Sequence, residues 1–308
     1  MPSRHRFVTL DVFTSSAFGG NQLAVFPDAS GIPEDALIRI TREFNFAEVT
    51  FCYPPANKAH TKRVRIFTPA REIPFAGHPT VGTAIALIEL GLAGAHSGDT
   101  AKLVLEEGVG PIPVAVTRVR GAAPFAQFST AKLAEVGPPP PSRAALAAVL
   151  SIGAEDSLAT QMAPENVSCG LPFLLVPLGS VDAVSRSRIQ MEKWEATLKS
   201  AWAPDVFLFA RKPEGGDAHF HARMFGPGVN VPEDPATGSA NACFAGYLAA
   251  RAPQQDGTLR WTVDQGVEMG RPSRIEIEAD KSAGAVTAIR VGGSAVMVTE
   301  GTLTLAPL

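Results

Sequence analysis

Cysteine is scarce in this chain. The three present among 308 residues, Cys52, Cys169 and Cys243, show no C-x-x-C spacing, so neither a disulfide framework nor a zinc ribbon is written here. They read as buried, reduced thiols. Excess charge of one sign is missing too: 27 Lys and Arg stand against 30 Asp and Glu, a net charge of -3. That balance offers no basic field for a nucleic-acid backbone and no polybasic patch for a membrane. No apolar run reaches the roughly 18 residues that a spanning helix needs, and the opening MPSRHRFVTLDVF has no apolar stretch of secretory length. The expectation is a cytoplasmic protein with neither nucleic acid nor membrane as partner. The G-x-S-x-G elbow, the Walker loop and G-x-G-x-x-G are absent, which removes support for hydrolase and nucleotide chemistry. STAK at 129–132 fits S-x-x-K, but the S-D-N and K-T-G partners of that motif are missing.

Repetition, in contrast, is plentiful. RIFTP at 65–69 returns as RMFGP at 223–227, and HPTVGTA at 78–84 returns as DPATGSA at 234–240. Upstream, GNQLAVFP at 20–27 resembles GLPFLLVP at 170–177, and AEVTF at 47–51 stands where PDVFLF at 204–209 falls. Four matches in the same order point to an internal duplication. Each half reads as a strand, NQLAVF or FLLVPL, then a polar helix, PEDALIRITREF or QMEKWEATLKSAW, then two strands. In the first of these helices Pro33 sits at the start and Glu34 and Asp35 in the first turn, suiting the positive end of the dipole. An almost wholly apolar segment follows in each half, PTVGTAIALIELG or PATGSANACFAGYLAA. A helix apolar all round must be surrounded. Strands close each half, among them RIEIEAD, AVTAIRVGG and AVMVTEGTLTL.

The length suits two domains. The expected fold class is α+β: two similar domains, residues 1–125 and 126–308, each a curled, mostly antiparallel sheet or barrel around one central apolar helix. The last strand is free to pack back on the first domain. Near the boundary, Pro138 to Pro141 form a stiff extended piece before a short helix.

The starts of the two apolar helices carry the candidate chemistry. Pro79 and Pro235 are placed where a first-turn proline belongs, so His78 and Asp234 fall at or just before the N-caps. Beyond them the small residues Thr80, Gly82, Gly238 and Ser239 leave backbone donors open to a ligand, which makes each mouth a seat for a carboxylate or phosphate. Two mouths related by duplication suggest an active site in a cleft between the domains.

FTPAREIPFAGHPTVGTA, EDPATGSANA and the opening LDVFTSSAFGGNQLAVF resemble the signatures of the PhzF family, the phenazine-biosynthesis isomerase-like proteins, from residue 10 to the C-terminus. The resemblance implies a diaminopimelate epimerase-like fold of two duplicated halves with the active site in the cleft. It also implies a general acid/base at Glu48, in FAEVTF, with His78 and Asp234 as its catalytic partners. Gly77, Pro79, Thr80, Thr237, Gly238 and Ser239 are the implied substrate-binding positions. Gln22 stands where the family often has proline. Epimerases of this fold use a thiol at each helix mouth, and this chain has none there: Cys243 lies nine residues beyond Asp234.

Glu48 is flanked by Phe44, Phe46, Val49 and Phe51, surroundings expected to disfavour its ionised form and ready it to donate as well as accept a proton. One group that delivers a proton at one carbon and removes another nearby is what a suprafacial shift requires. The expected function is a proton-shifting isomerase acting on a small cyclic or amino carboxylate of the dihydro-3-hydroxyanthranilate type, with no metal and no organic cofactor. Two alternatives stay open: an epimerase or racemase-like enzyme on another small carboxylate, and a binding protein that keeps the fold without turnover. A homodimer is also left open. His219 and His221, in HFH, lack an evident third ligand and read as a surface strand, and the repeated Arg65 and Arg223 read as structural.

Overall fold

The computed structural model describes residues 2–94, 98–153, 162–229 and 231–306. The chain divides into two compact units, one running through Ala131 and resuming at Gly292, the other covering Lys132–Val291.

Unit 1 holds β1 (Ser3–Val12), β2 (Asn21–Phe26), α1 (Glu34–Phe44), β3 (Glu48–Tyr53), β4 (Lys62–Phe67), β5 (Glu72–Ile73), α2 (Gly77–Glu89), β6 (Thr100–Glu107), β7 (Gly110–Thr117) and β8 (Phe125–Ser129). Unit 2 holds β9 (Glu135–Val136), α3 (Arg143–Leu150), β10 (Glu165–Ser168), β11 (Pro172–Pro177), α4 (Val181–Arg186), α5 (Met191–Thr197), β12 (Val206–Arg211), β13 (Phe220–Gly226), β14 (Val231–Asp234), α6 (Gly238–Arg251), β15 (Gly257–Gln265) and β16 (Ser273–Ser282). The last strand, β17 (Ala285–Leu305), starts in unit 2 and continues through unit 1. No helix among the described residues is long and apolar enough to cross a membrane.

The duplication is visible pairing by pairing. In unit 1, β2 runs parallel to β3, β3 antiparallel to β4, β4 parallel to β6 and β6 antiparallel to β7. In unit 2 the same sequence of parallel and antiparallel pairs links β11, β12, β13, β15 and β16. Each parallel step needs a crossover, and the helices supply it. Unit 1 closes into a barrel, because β17 pairs with both β1 and β8 while β1 pairs with β2 and β7 with β8.

Inside that barrel lies α2, buried at every residue from Gly77 to Ile88. In unit 2 the corresponding α6 is buried from Ala240 to Ala249, with Phe244 packed against Phe207, Phe209 and Phe220. The outer sheet faces carry their own layers. Phe26, Leu37, Ile40, Val49, Phe51 and Phe67 join α1 to unit 1; Leu146, Val176, Trp194, Leu198 and Leu208 join α3 and α5 to unit 2.

The structure corrects three readings of the sequence. AVTAIRVGG and AVMVTEGTLTL are one strand, not two, because the glycine between them is there for close approach rather than a turn: a Cβ on Gly292 would lie 2.7 Å from the Phe125 ring. The helix expected over 190–202 is only α5, Met191–Thr197. Gly82, expected to open a mouth to ligand, instead faces the barrel wall, where a Cβ would meet Leu23 Cδ2 at 2.6 Å and Val12 Cγ2 at 2.7 Å.

That last contact is testable. Overpacking a well-filled core costs about 1–3 kcal/mol, more than the few tenths gained by replacing a helical glycine with valine. Gly82→Val is expected to lower the midpoint of thermal unfolding by several degrees; an unchanged or raised midpoint would contradict the packing.

Candidate active site

Period-two alternation along β3 puts Val49 and Phe51 on the α1 side, within the aromatic layer, and Glu48, Thr50 and Cys52 on the side of α2. A hydrogen bond of 2.9 Å between Thr50 Oγ1 and Thr83 Oγ1 of α2 fixes that facing. Phe44 and Phe46 also pack into the α1 layer. The phenylalanines that flank Glu48 in sequence therefore turn away from its carboxylate, and the apolar pocket expected from them is not what surrounds it.

What stands beside Glu48 is His78, with Nε2 3.5 Å from Glu48 Oε2. His78 lies in the first turn of α2, one residue inside the helix, whose cap is Ala76. The amide nitrogen of Asn21, at the start of β2, is 3.2 Å from His78 Nδ1. That contact holds the ring with Nε2 toward Glu48. A carboxylate at that distance favours an imidazolium, but the His78 side chain is only 4% exposed. Loss of hydration wins: burial lowers the His78 pKa to about 3 against a smaller raising contact from the Gln22 backbone. His78 is a neutral imidazole beside the Glu48 carboxyl.

Thr80, one turn into α2, is fully buried. Its Oγ1 is 2.8 Å from Ala76 O and 2.7 Å from Glu107 Oε1 at the end of β6. A hydroxyl has one proton to give, and Ala76 O can only accept, so a proton on Glu107 satisfies both contacts. Burial pushes the Glu107 pKa up to about 8, against the lowering effect of Thr80, and supplies that proton at neutral pH. The backbone N–H of Thr80 is also used, donating to Ala76 O at 3.2 Å.

Unit 2 builds its mouth differently. Asp234 is the last residue of β14, paired with Met224, and α6 begins only at Gly238 with Thr237 as cap. Asp234 and Pro235 thus precede the helix rather than open it. A side chain that the sequence reading missed holds this extended stretch. Gln265, fully buried at the end of β15, donates from Nε2 to Asp234 O at 2.8 Å and Thr237 Oγ1 at 3.0 Å. Its Oε1 accepts from Thr237 N at 3.2 Å and Asn241 Nδ2 at 3.1 Å. Thr237 Oγ1 in turn donates to Asp234 Oδ2 in a very short contact. With Thr237 N engaged, the first-turn N–H groups of Gly238, Ser239 and Ala240 have no acceptor among the described residues, and Ser239 is partly exposed while its neighbours are buried.

The remaining candidates fall outside these mouths. Burial raises the Cys52 pKa to about 12 and that of Cys243 well above its ordinary value, which removes both thiols from proton transfer near neutrality. His221 is not on a surface strand: its Nε2 lies 2.7 Å from Glu268 Oε1, which also accepts from Ser185 Oγ at 2.6 Å. Burial acts to raise the Glu268 pKa, and these bonds more than offset it, leaving it at about 2. His219 accepts from Thr262 N at 3.0 Å. Arg65 is held by Glu34 and Glu72, and Arg223 by Glu233 and three backbone carbonyls of the α4 region. Among the described residues no group of three or more His, Cys, Asp or Glu is placed to hold a metal ion.

The two shifted groups in unit 1 act oppositely on stability. His78, with a folded pKa below 6.5, contributes stability that is present above that value and lost as pH falls toward 3. Glu107, with a folded pKa above 4.5, contributes stability that is present below that value and lost as pH rises through about 8. Glu107→Gln keeps the shape and removes the ionisation. Relative to the parent, its unfolding midpoint is expected to climb by several degrees between pH 5 and pH 9; a difference that stays constant over that range would refute a protonated Glu107.

Comparison with known proteins places these residues in a family. A profile of phenazine biosynthesis-like proteins matches residues 10–301. An uncharacterized isomerase of Mesorhizobium japonicum is 41% identical over 300 residues, covering 96% of this chain and 98% of that protein. The trans-2,3-dihydro-3-hydroxyanthranilate isomerase of Pseudomonas fluorescens is 34% identical over 309 residues, covering 98% and 100%. Among solved structures, a Bacillus anthracis phenazine biosynthesis protein of the PhzF family superposes with a TM-score of 0.87 at 25% identity, covering 98% of this chain and 99% of that one. The chain belongs to the phenazine biosynthesis-like, or PhzF, family and is an isomerase.

Proposed function

We propose that the protein catalyses a cofactor-independent proton shift on a small cyclic carboxylate of the dihydro-3-hydroxyanthranilate type, with Glu48 as general acid and base. The observation that carries this reading is the approach of a neutral, buried His78 to within 3.5 Å of the Glu48 carboxyl. A neutral imidazole faces its partner without adding a full charge. Glu48 can therefore hold a proton in one half of the reaction and release it in the other, as a single-base shift demands. Because Glu48 is fixed on one strand and reaches from one direction, removal and delivery fall on the same face of the substrate.

In this reading His78 also hydrogen-bonds the substrate's amino or hydroxyl group, and Gly77, Pro79 and Thr80 shape the mouth of α2. In unit 2 the open N–H groups at Gly238 and Ser239 suit a carboxylate and stabilise charge that builds up as the proton moves. Asp234, held in place through Thr237 and Gln265, binds a polar group of the substrate. The match to a named trans-2,3-dihydro-3-hydroxyanthranilate isomerase supports the choice of substrate class. The high pKa values of the buried thiols weigh against a thiol-based epimerisation.

Incubation with trans-2,3-dihydro-3-hydroxyanthranilate in heavy water, followed by NMR, tests the proposal. The parent enzyme is expected to place deuterium at one new carbon of the product. Glu48→Gln is expected to lose about a thousandfold in rate, within the range ascribed to a positioned acid/base, while still binding substrate. Near-parental turnover by Glu48→Gln would sink the assignment.

A further inference from the structure

At the end of α6 away from Gly238, unit 2 contains a pocket of about 850 Å³, in the size range of small-molecule sites. Its apolar wall comes from Phe209, Leu248, Leu259 and Trp261, and its charge from arginines that include Arg211 and Arg251. Among the described residues no Asp or Glu lines it. Strand alternation explains the arrangement. Phe209 faces α6, its ring packed against Phe244, so Arg211 two residues on shares that face. Gln265 of β15 also faces α6, bonding Asn241, and the unbroken register of β15 with β16 carries Val263, Trp261 and Leu259 onto the same side.

The three guanidinium groups that line it differ, and Arg260 is paired with Glu278. Arg251 is committed: it lies 3.6 Å above the Tyr247 ring, bonds Tyr247 O at 3.0 Å and pairs with Glu165. Arg211 lies 5.1 Å from the centre of the Phe220 ring and pairs with no carboxylate among the described residues. Stacking holds its plane and leaves its edge N–H groups for a planar acceptor. A helix C-terminus would ordinarily repel an anion. Here the buried Lys281 Nζ caps it, 3.1 Å from Ala249 O and 3.0 Å from Ala252 O, so the negative end of α6 is neutralised at the pocket.

We propose that this pocket is a second ligand site, separate from the α6 mouth, for a small organic anion with a flat apolar body, an aryl or cyclic carboxylate. The ring lies against Trp261, Leu259 and Phe209, and the carboxylate meets Arg211 in a bidentate pair. The inference does not depend on the reaction assigned above, because none of its residues belongs to that assignment.

The probe is 2-naphthoate, followed by tryptophan fluorescence and calorimetry on the full chain, with 2-naphthamide as its uncharged counterpart. Saturable one-to-one binding is expected, weakened about tenfold or more both for the amide and in Arg211→Met, partly retained in Arg211→Lys, and unchanged in Glu48→Gln. Arg211 is exposed, so its replacement leaves the core intact, and a thermal scan of each variant verifies this. Absence of saturable binding into the millimolar range would overturn the proposal, as would equal affinity in Arg211→Met. Self-association of the protein that 2-naphthoate cannot reverse and Arg211→Met abolishes would also overturn it, since the pocket would then be covered by a second copy.

Discussion

Two helices that have no exposed face govern this structure. Apolar on every side, α2 and α6 can exist in water only if sheet encloses them, and each unit supplies that sheet. Enclosure then creates a local problem at the helix starts, where backbone N–H groups have no intrahelical partner and lie at the edge of a dry interior. Polar side chains gather around those starts. In unit 1 they are Asn21, His78, Thr80 and Glu107; in unit 2, Thr237, Asn241 and Gln265. The same burial that makes the helices stable thus concentrates hydrogen-bonding chemistry at their N-termini.

The charges are distributed to match. Two equivalent arginines on β4 and β13 are saturated by carboxylates, Arg65 by Glu34 and Glu72, and Arg223 by Glu233. Their positive charge is spent on holding elements together rather than on the helix starts. At the α2 start His78 and Glu107 are instead kept neutral by burial, His78 without its extra proton and Glu107 with its own. A site of this kind moves protons without first having to break an ion pair, which suits a proposed reaction that shifts a proton and leaves net charge unchanged.

Much of this fold could be read from the sequence. The apolar segments at 79–91 and 235–250 have no polar stripe, and that alone announced two enclosed helices. The recurrence of RIFTP as RMFGP mapped onto β4 and β13, equivalent strands of the two units. Local patterns failed where long-range pairing decides. Glu48 looked wrapped in phenylalanine because sequence neighbours were counted, whereas the strand sends alternate residues to opposite faces. Pro235 looked like a first-turn proline, but Gln265, 28 residues beyond Thr237, holds that stretch extended. Asn21 lay inside a quoted motif without being marked as a site residue, Glu107 lay in none, and only the closure of the barrel brings them to α2. His221 appeared exposed in HFH because nothing nearby in sequence reveals Glu268 as its partner.

The central claim is that burial keeps His78 neutral beside Glu48, and nitrogen NMR of the labelled imidazole tests it most directly. The account predicts that the His78 ring nitrogens keep the shifts of a neutral ring at every pH from 5 to 8. A titration of His78 within that range, with a midpoint near its ordinary value of 6.5 or higher, would contradict it: the pair would then be a charged bridge, and Glu48 would be locked as its counter-ion.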